Sequence, residues 1–295
     1  QRITLGETYM QKKKISLEEL YKLLEFPAEV VERLGQVQLD EDEGTMCDIH
    51  LLTDREKWQD ARTRLKERYA PDEDGMKILA CMMRAMQDSY ALYIEEKIPE
   101  KIFADTMKCF TRFLKEHVVS FGYCGFDRDF WTGRQLSLLL FRLGELEFEI
   151  VSEEGEKAGA PQAEKCSHYL IHVHIPSDAD LSPECCDESF RMAEQFLAEH
   201  FPETVGSKFA CDSWLLSPAL KELLPEGSRI LQFQNRFEVK SWNQDADDFL
   251  EWVFKRKDLP LEDLPEETSL QRKMKAYLLK GGKIGEAYGE IPKQH

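Results

Sequence analysis

The chain has 295 residues, with 39 basic and 56 acidic side chains and a formal net charge of -17. Hydrophobic residues make up 42% of the sequence, which argues against intrinsic disorder, and the length fits two domains. A surface of this charge repels phosphate groups, so binding to nucleic acid or to an anionic membrane is disfavoured. The sequence has no run of about 18 apolar residues and no C-x-x-C pair among its eight cysteines, so we predict a cytoplasmic protein with reduced thiols.

The first part of the chain predicts helices and no strands. Five helix starts are predicted, at Ser16, Pro27, Thr53, Met76 and Pro99. The first and third have the pattern of a capping box, in which a Ser or Thr side chain and a Glu three residues later satisfy each other's backbone N–H groups. The acidic stretch 40–44 is interpreted as a solvated loop. We therefore expect an all-helical N-terminal domain over residues 1–115.

The second part of the chain changes to the period of β-strands. Strands are predicted at 135–141, 145–151, 169–175, 208–214 and 229–239. Ser182 and Pro183 predict the start of a long helix, and the stretch 152–165 predicts a surface loop. Because strand, helix and strand in succession form a right-handed crossover, 169–175 and 208–214 should be parallel. The fold class is therefore α+β, with a mixed sheet, flanking helices and a helical tail in a second domain over 116–295.

This order of elements resembles the GNAT acyltransferase fold, in which an antiparallel meander is followed by a long helix, a strand, a short helix and a last strand. With the helical domain in front, the chain resembles a bacterial two-domain acyltransferase family. The segments HIPSDADLSPE (174–184) and DSWLLSPALKELLP (212–225) carry most of the likeness. The resemblance implies transfer of an acyl group from an acyl-CoA thioester to an amine. Acyl-CoA would be a co-substrate, and no tightly bound cofactor is expected.

The loop expected to hold coenzyme A departs from the family pattern. GNAT enzymes usually have Q/R-x-x-G-x-G/A here, whereas this loop has no glycine, no basic residue and two prolines. By resemblance, the cofactor-binding positions are Ile175, Ser177, Ala179 and Ser182. Carboxylates of Asp178, Asp180 and Glu184 lie beside them, and each exposed carboxylate opposes an anion by up to about 1 kcal/mol. The alternative is that the loop's Asp and Ser side chains only cap the helix that follows.

Two histidines share one face of the strand 169–175. Side chains two residues apart in a strand point the same way, so His172 and His174 lie together, with His168 in line. One of them could accept the proton of an attacking amine. They could also bind a metal if Glu147, Glu149 or Asp212 supplied a third ligand, or be hydrogen-bonded residues of the sheet. We assign no metal.

Three further residues complete the predicted site. Asp212 ends the second parallel strand, at the edge where such sheets bind ligands, and joins His172 and His174 as a catalytic candidate. Trp214 and Glu147 are candidates for a substrate cleft, with a core position and a solvated sheet face as their respective alternatives.

Two functions stay open from the sequence. One is an N-acyltransferase with a small-molecule or peptide amine as acceptor. The other is a non-catalytic protein that binds a ligand or partner, keeps the fold and has lost the coenzyme A loop. Whether the protein is an enzyme, and its oligomeric state, are left open.

Overall fold

A computed structural model describes residues 15–152 and 169–292. The predicted loop 152–165, apart from its first residue, and His168 lie outside these ranges. The chain divides into two compact units, residues 1–139 and 140–295, and each is described by itself.

Seven helices make up the described part of the first unit. They are α1 Leu17–Leu23, α2 Ala28–Gln36, α3 Glu43–Leu51, α4 Trp58–Arg68, α5 Met76–Glu95, α6 Glu100–Phe121 and α7 Asp129–Leu136. The capping box at Ser16 is present. The one predicted at Thr53 is wrong: α4 begins later, because the Asp54 carboxylate accepts the N–H groups of Glu56 and Lys57 and holds them in a turn. The acidic stretch 40–44 is not only a loop, since Asp42 caps α3 through Thr45 N–H.

The first unit extends beyond the expected boundary between residues 115 and 116. Helix α6 continues without a break to Phe121, and α7 then packs against α4, α5 and α6. The strand predicted at 135–141 is therefore wrong over most of its length. Its apolar residues Leu136, at the end of α7, and Leu138, just after it, are buried.

The second unit is a mixed sheet with helices. Its described strands are β1 Leu140–Leu143, β2 Leu146–Ser152, β3 Tyr169–His174, β4 Lys208–Ser213, β5 Glu238–Asn243 and β6 Glu286–Glu290. Its described helices are α8 Pro183–His200, α9 Leu220–Leu223, α10 Arg229–Gln234, α11 Asp248–Phe254 and α12 Ser269–Leu279. The strand order is β1-β2-β3-β4-β6-β5. Only β3 and β4 are parallel among these pairs, as predicted, and the α+β class is confirmed.

Two elements near the end of this unit differ from what the sequence predicted. The strand predicted at 229–239 is helix α10 followed by β5, because the Ser228 side chain accepts Leu231 N–H and starts a helix. Strand β6 was not predicted, yet it lies between β4 and β5.

The two faces of the sheet differ in polarity. On one face, the Phe148 ring lies edge-on to Phe190 of α8 and to Phe209 of β4, with ring centroids 5.6 and 5.9 Å apart. Phe148 is buried, and full burial of a phenylalanine side chain contributes about 1.5–3 kcal/mol, so these ring contacts help to hold α8 on the sheet. The tight turn between β1 and β2 is held against the same helix, because Glu145 N–H donates to Ser189 Oγ at 2.8 Å. The opposite face carries the polar residues of the candidate site.

Candidate active site

The parallel strands β3 and β4 separate at their carboxyl ends. Their pairing runs from Leu170 opposite Lys208 to His172 opposite Ala210 and stops there. Strand β4 continues to Ser213, but from Ala210 onward it is paired with β6 on its other side. A gap therefore opens between the two strands beyond His172. Carboxyl ends of parallel strands are where open sheets commonly bind ligands.

Strand register brings most of the predicted site residues onto one face beside this gap. On β2, Glu147 lies opposite His174 and Glu149 lies opposite His172. On β4, Asp212 shares the face of Ala210, the partner of His172. The structure thus places His172, His174, Asp212 and Glu147 on one face of the sheet. Glu147 is only 2% exposed, so the solvated-face interpretation does not hold for it.

A short polar contact on this face joins His174 to Glu149. His174 Nε2 lies 2.8 Å from Glu149 Oε2, and the side chains are 21% and 15% exposed. An ionised carboxylate can only accept a hydrogen bond, so Nε2 carries the hydrogen. Charge-assisted bonds of this kind are about twice as strong as neutral ones. This hydrogen bond therefore fixes the two side chains relative to each other.

His172 lies between His174 and Tyr288 of β6, with ring centroids 6.1 and 6.4 Å away. Burial lowers the pKa of His172, and the neighbouring His174 lowers it further, while Glu149 and Asp212 act in the opposite direction. The lowered pKa favours the neutral imidazole, the form that can accept a proton.

Three carboxyl groups lie near β6, namely those of Glu286, Asp212 and Asp248. Burial, followed by Asp212 and Asp248, raises the pKa of the Glu286 carboxyl group. Within residues 15–152 and 169–292, no three His, Cys, Asp or Glu side chains are arranged to hold a metal ion.

Several backbone N–H groups of the predicted coenzyme A loop are already hydrogen-bonded within the protein. Ala179 N–H donates to Pro176 O at 3.0 Å, and Ser182 N–H donates to Asp180 Oδ1 at 2.9 Å. Asp180 N–H donates to Glu145 Oε2 at 3.0 Å. Ser182 is the N-cap of α8, but its side chain makes no capping hydrogen bond. Two of the four predicted cofactor positions therefore have N–H groups that are already bonded.

Three arginines that the sequence did not connect with this loop surround it in the structure. They come from β1, from α10 and from the segment after α10, and they are Arg142, Arg229 and Arg236. Each pairs with a carboxylate of the loop or of the first turns of α8, namely Asp178 at 2.9 Å, Asp180 at 3.0 Å and Asp187 at 2.6 Å, respectively. Arg236 Nη2 also donates to Pro183 O at 3.0 Å. The loop thus lacks basic residues of its own but not basic neighbours.

Trp214 begins a 3-10 turn directly after β4 and is partly buried. It packs against an apolar cluster that includes Leu220, Phe254 and Met274. A core position was the alternative that the sequence allowed for Trp214. Its role in a substrate cleft stays a prediction.

The helical unit contains a cavity of about 810 Å³ that none of the predicted site residues line. Arg33 on its wall pairs with Asp74, and Lys77 Nζ donates to the carbonyls of Tyr69 and Pro71. These charged groups therefore have partners within the protein.

Fold and site together define a two-unit α+β protein with a polar sheet face beside the gap between β3 and β4. Two family models match the chain: an N-acyltransferase N-terminal domain over residues 15–138 and a GNAT-like C-terminal domain over residues 140–291. The second match alone spans more than half of the chain. The protein therefore belongs to the family with a GNAT-like C-terminal domain, and the resemblance seen in the sequence is confirmed. The two matches meet where the structure divides.

Solved structures of acyltransferases share the fold of nearly the whole chain. One, in complex with decanoyl-CoA and teicoplanin, is 23% identical with a TM-score of 0.74, covering 94% of this chain and 88% of the other. A mutant acyltransferase in complex with octanoyl-CoA is 22% identical with a TM-score of 0.75 and the same coverage. A complex with decanoyl-CoA is 24% identical with a TM-score of 0.74, covering 93% and 86%. No curated protein matches the chain. Among the described residues, no helix has the length and apolarity needed to cross a membrane.

Proposed function

We propose that the protein is an N-acyltransferase that moves an acyl group from acyl-CoA to an amine in the gap between β3 and β4. The observation that carries the proposal is the His174–Glu149 pair beside this gap. Family membership and the acyl-CoA bound in similar structures support it. Fold alone does not define a reaction, so the side chains on the polar face provide the chemical argument.

The reaction needs a group that takes a proton from the amine. The neutral amine nitrogen attacks the thioester carbonyl, a C–N bond forms, and the C–S bond breaks. Coenzyme A leaves as a thiolate, which takes up the proton that the base removed from the amine. His174 accepts the amine proton, since an imidazole is the side chain best suited to this transfer near neutral pH. His172, which burial keeps neutral, is the second candidate for this role. Asp212 and Glu147 would attract the acceptor as an ammonium ion, which loses one proton to water before its nitrogen attacks.

The phosphates of coenzyme A would lie at the start of α8. A helix N-terminus favours an anion by about 0.3–1 kcal/mol, which is little against the nearby aspartates. Arg142, Arg229 and Arg236 can provide the cationic groups that the loop lacks, although each would first give up its bond to an aspartate. Phosphate oxygens would replace the aspartate carboxylates as hydrogen-bond acceptors of these arginines. Backbone groups of Ile175 and Ser177 would then contact the pantetheine arm.

The acceptor would be a small molecule or a peptide with a free amine. One similar structure contains teicoplanin together with decanoyl-CoA, which supports an acceptor of moderate size. The net charge of -17 favours a cationic acceptor over an acidic one. A cytoplasmic location and a bacterial origin stay predictions from the sequence. The free thiols of all seven cysteines among the described residues are compatible with a reducing compartment.

The test is acyl transfer by the full chain from octanoyl-CoA or decanoyl-CoA to teicoplanin and to a panel of small primary amines. Acylated product and released coenzyme A are measured by mass spectrometry, because the protein's own thiols would react with thiol dyes. His174→Gln should lower kcat by about 10²–10⁴-fold, the contribution of a general base, and leave the KM for acyl-CoA nearly unchanged.

The matched control is His50→Gln, because His50 is an exposed histidine on α3 of the other unit. It should retain full activity. A His174→Gln variant as active as the wild type would contradict the base assignment. Absence of both acyl transfer and acyl-CoA binding would favour the non-catalytic alternative.

A further inference from the structure

The contact between Glu149 and His174 runs diagonally across two strands. In the β2–β3 register, the residue opposite Glu149 is His172, and the residue opposite His174 is Glu147. Diagonal neighbours in an antiparallel pair are farther apart than opposite ones, by about 2–3 Å between Cα atoms. The Glu149 carboxylate nevertheless makes its 2.8 Å bond to His174 Nε2. The Glu149 carboxylate therefore reaches past His172, the residue opposite it, to a ring nitrogen of His174.

This bond defines the chemical state of the His174 ring. A neutral imidazole carries its hydrogen on one nitrogen, and the other nitrogen is the acceptor. With the hydrogen on Nε2, the acceptor is Nδ1. A carboxylate held against Nε2–H also stabilises the imidazolium that forms when the ring takes a second proton. Both side chains are largely shielded from water, which strengthens the interaction.

We propose that Glu149 is a positioning residue, which holds His174 as the Nε2–H tautomer and stabilises its imidazolium during acyl transfer. The amine proton moves to Nδ1, the hydrogen on Nε2 stays in its bond to Glu149, and the carboxylate itself takes no proton. The catalytic half of this proposal rests on the proposed function. The tautomer half does not.

The tautomer is measured without any substrate. The full chain labelled with 15N-histidine gives two-bond 1H–15N correlations that distinguish Nε2–H from Nδ1–H imidazoles at mildly alkaline pH, and His174→Gln assigns the His174 signals. The wild type should show the Nε2–H form. Glu149→Gln keeps an acceptor oxygen and should retain that form, whereas Glu149→Ala should give a mixture. Glu290→Gln is the matched control, because Glu290 lies on the same face but pairs with Lys208, and it should change nothing.

Kinetics then test the catalytic half. Because the charge is lost while the acceptor remains, Glu149→Gln should lower kcat by about 10–100-fold, part of the 10²–10⁴-fold that a general base contributes. Glu149→Ala should lower kcat further, and the KM for acyl-CoA should stay within about 3-fold in both variants. Thermal unfolding of each variant checks that the fold is intact, and the isosteric Gln variant decides the question if the Ala variant unfolds.

Three results would overturn the proposal. The first is an Nδ1–H form in the wild type. The second is an unchanged tautomer and an unchanged kcat in Glu149→Ala. The third is activity that depends on Glu149 but not on His174, which would make Glu149 the base. If the wild type transfers no acyl group while the tautomer behaves as expected, the proposed function and the catalytic half fall and the positioning of His174 stands.

Discussion

Gly133 on α7 should not tolerate even a methyl group. A Cβ at this position would lie 2.0 Å from Trp58 Cε3 and 2.4 Å from Cζ3, whereas carbon atoms pack favourably at about 3.5–4.0 Å. Trp58 is only 3% exposed, and the Ser137 hydroxyl donates to Gly133 O at 2.7 Å, so neither side can move away freely. Overpacking costs about 1–3 kcal/mol, and Ala recovers about 1 kcal/mol of helix propensity. Since the overlap is about 1.5 Å, we expect a cost at or above the upper end of that range and a net loss of about 2 kcal/mol for Gly133→Ala.

The assay is urea unfolding of the full chain, with Gly35→Ala as the matched control. Gly35 is also in a helix of the first unit, but a Cβ added there would have nothing within 4 Å. Gly35→Ala should therefore stabilise the protein by up to about 1 kcal/mol. The two variants should shift the unfolding midpoint in opposite directions. A Gly133→Ala protein as stable as the wild type would refute the packing described for α7.

Three further predictions concern the second unit. His174→Gln should raise the pKa of His172 in an NMR titration, because His174 lowers it; an unchanged or lower value would contradict the arrangement of the two rings. Glu286→Gln should increase the free energy of unfolding at neutral pH by less than about 1 kcal/mol. A carboxyl group whose pKa is raised in the folded state contributes stability at low pH, and this contribution is lost as the pH rises through that pKa. The stability gained by Glu286→Gln should therefore vanish in acid. A loss of stability at neutral pH would contradict this prediction. Arg236→Gln should weaken coenzyme A binding about 10-fold or more in calorimetry, and Arg236→Lys should weaken it less; equal affinities would remove Arg236 from the site.

Local patterns were sufficient for the central part of the sheet. The run YLIHVHI has the composition of a strand. Ser182 followed by Pro183 is a pair of residues favoured at the start of a helix. The β6 sequence EAYGE has no such signal, because its charged and small residues are favoured elsewhere. Its place between β4 and β5 depends on close packing, since even a Cβ at Gly289 would come within 3.1 Å of Leu216 and Phe237. Such a contact is tertiary and leaves no local pattern.

The candidate site divides in the same way. His172 and His174 could be grouped from the sequence, because the two-residue period of one strand determines which side chains share a face. The bond from Glu149 to His174 depends on the register between β2 and β3, which no pattern within either strand specifies. Likewise, Arg236 reaches the start of α8 from a segment about 50 residues later in the chain. Partners of this kind become visible only in three dimensions.

The most direct test of the central claim is calorimetric titration of the full chain with decanoyl-CoA and with free coenzyme A, at low and moderate salt. Acyl transfer in the β3–β4 gap predicts saturable binding of both ligands in the micromolar range. Binding should weaken as salt rises, because arginine–phosphate contacts are screened. If neither ligand produced heat at millimolar concentration, the claim would be contradicted. The protein would then keep the fold of the family without binding the co-substrate.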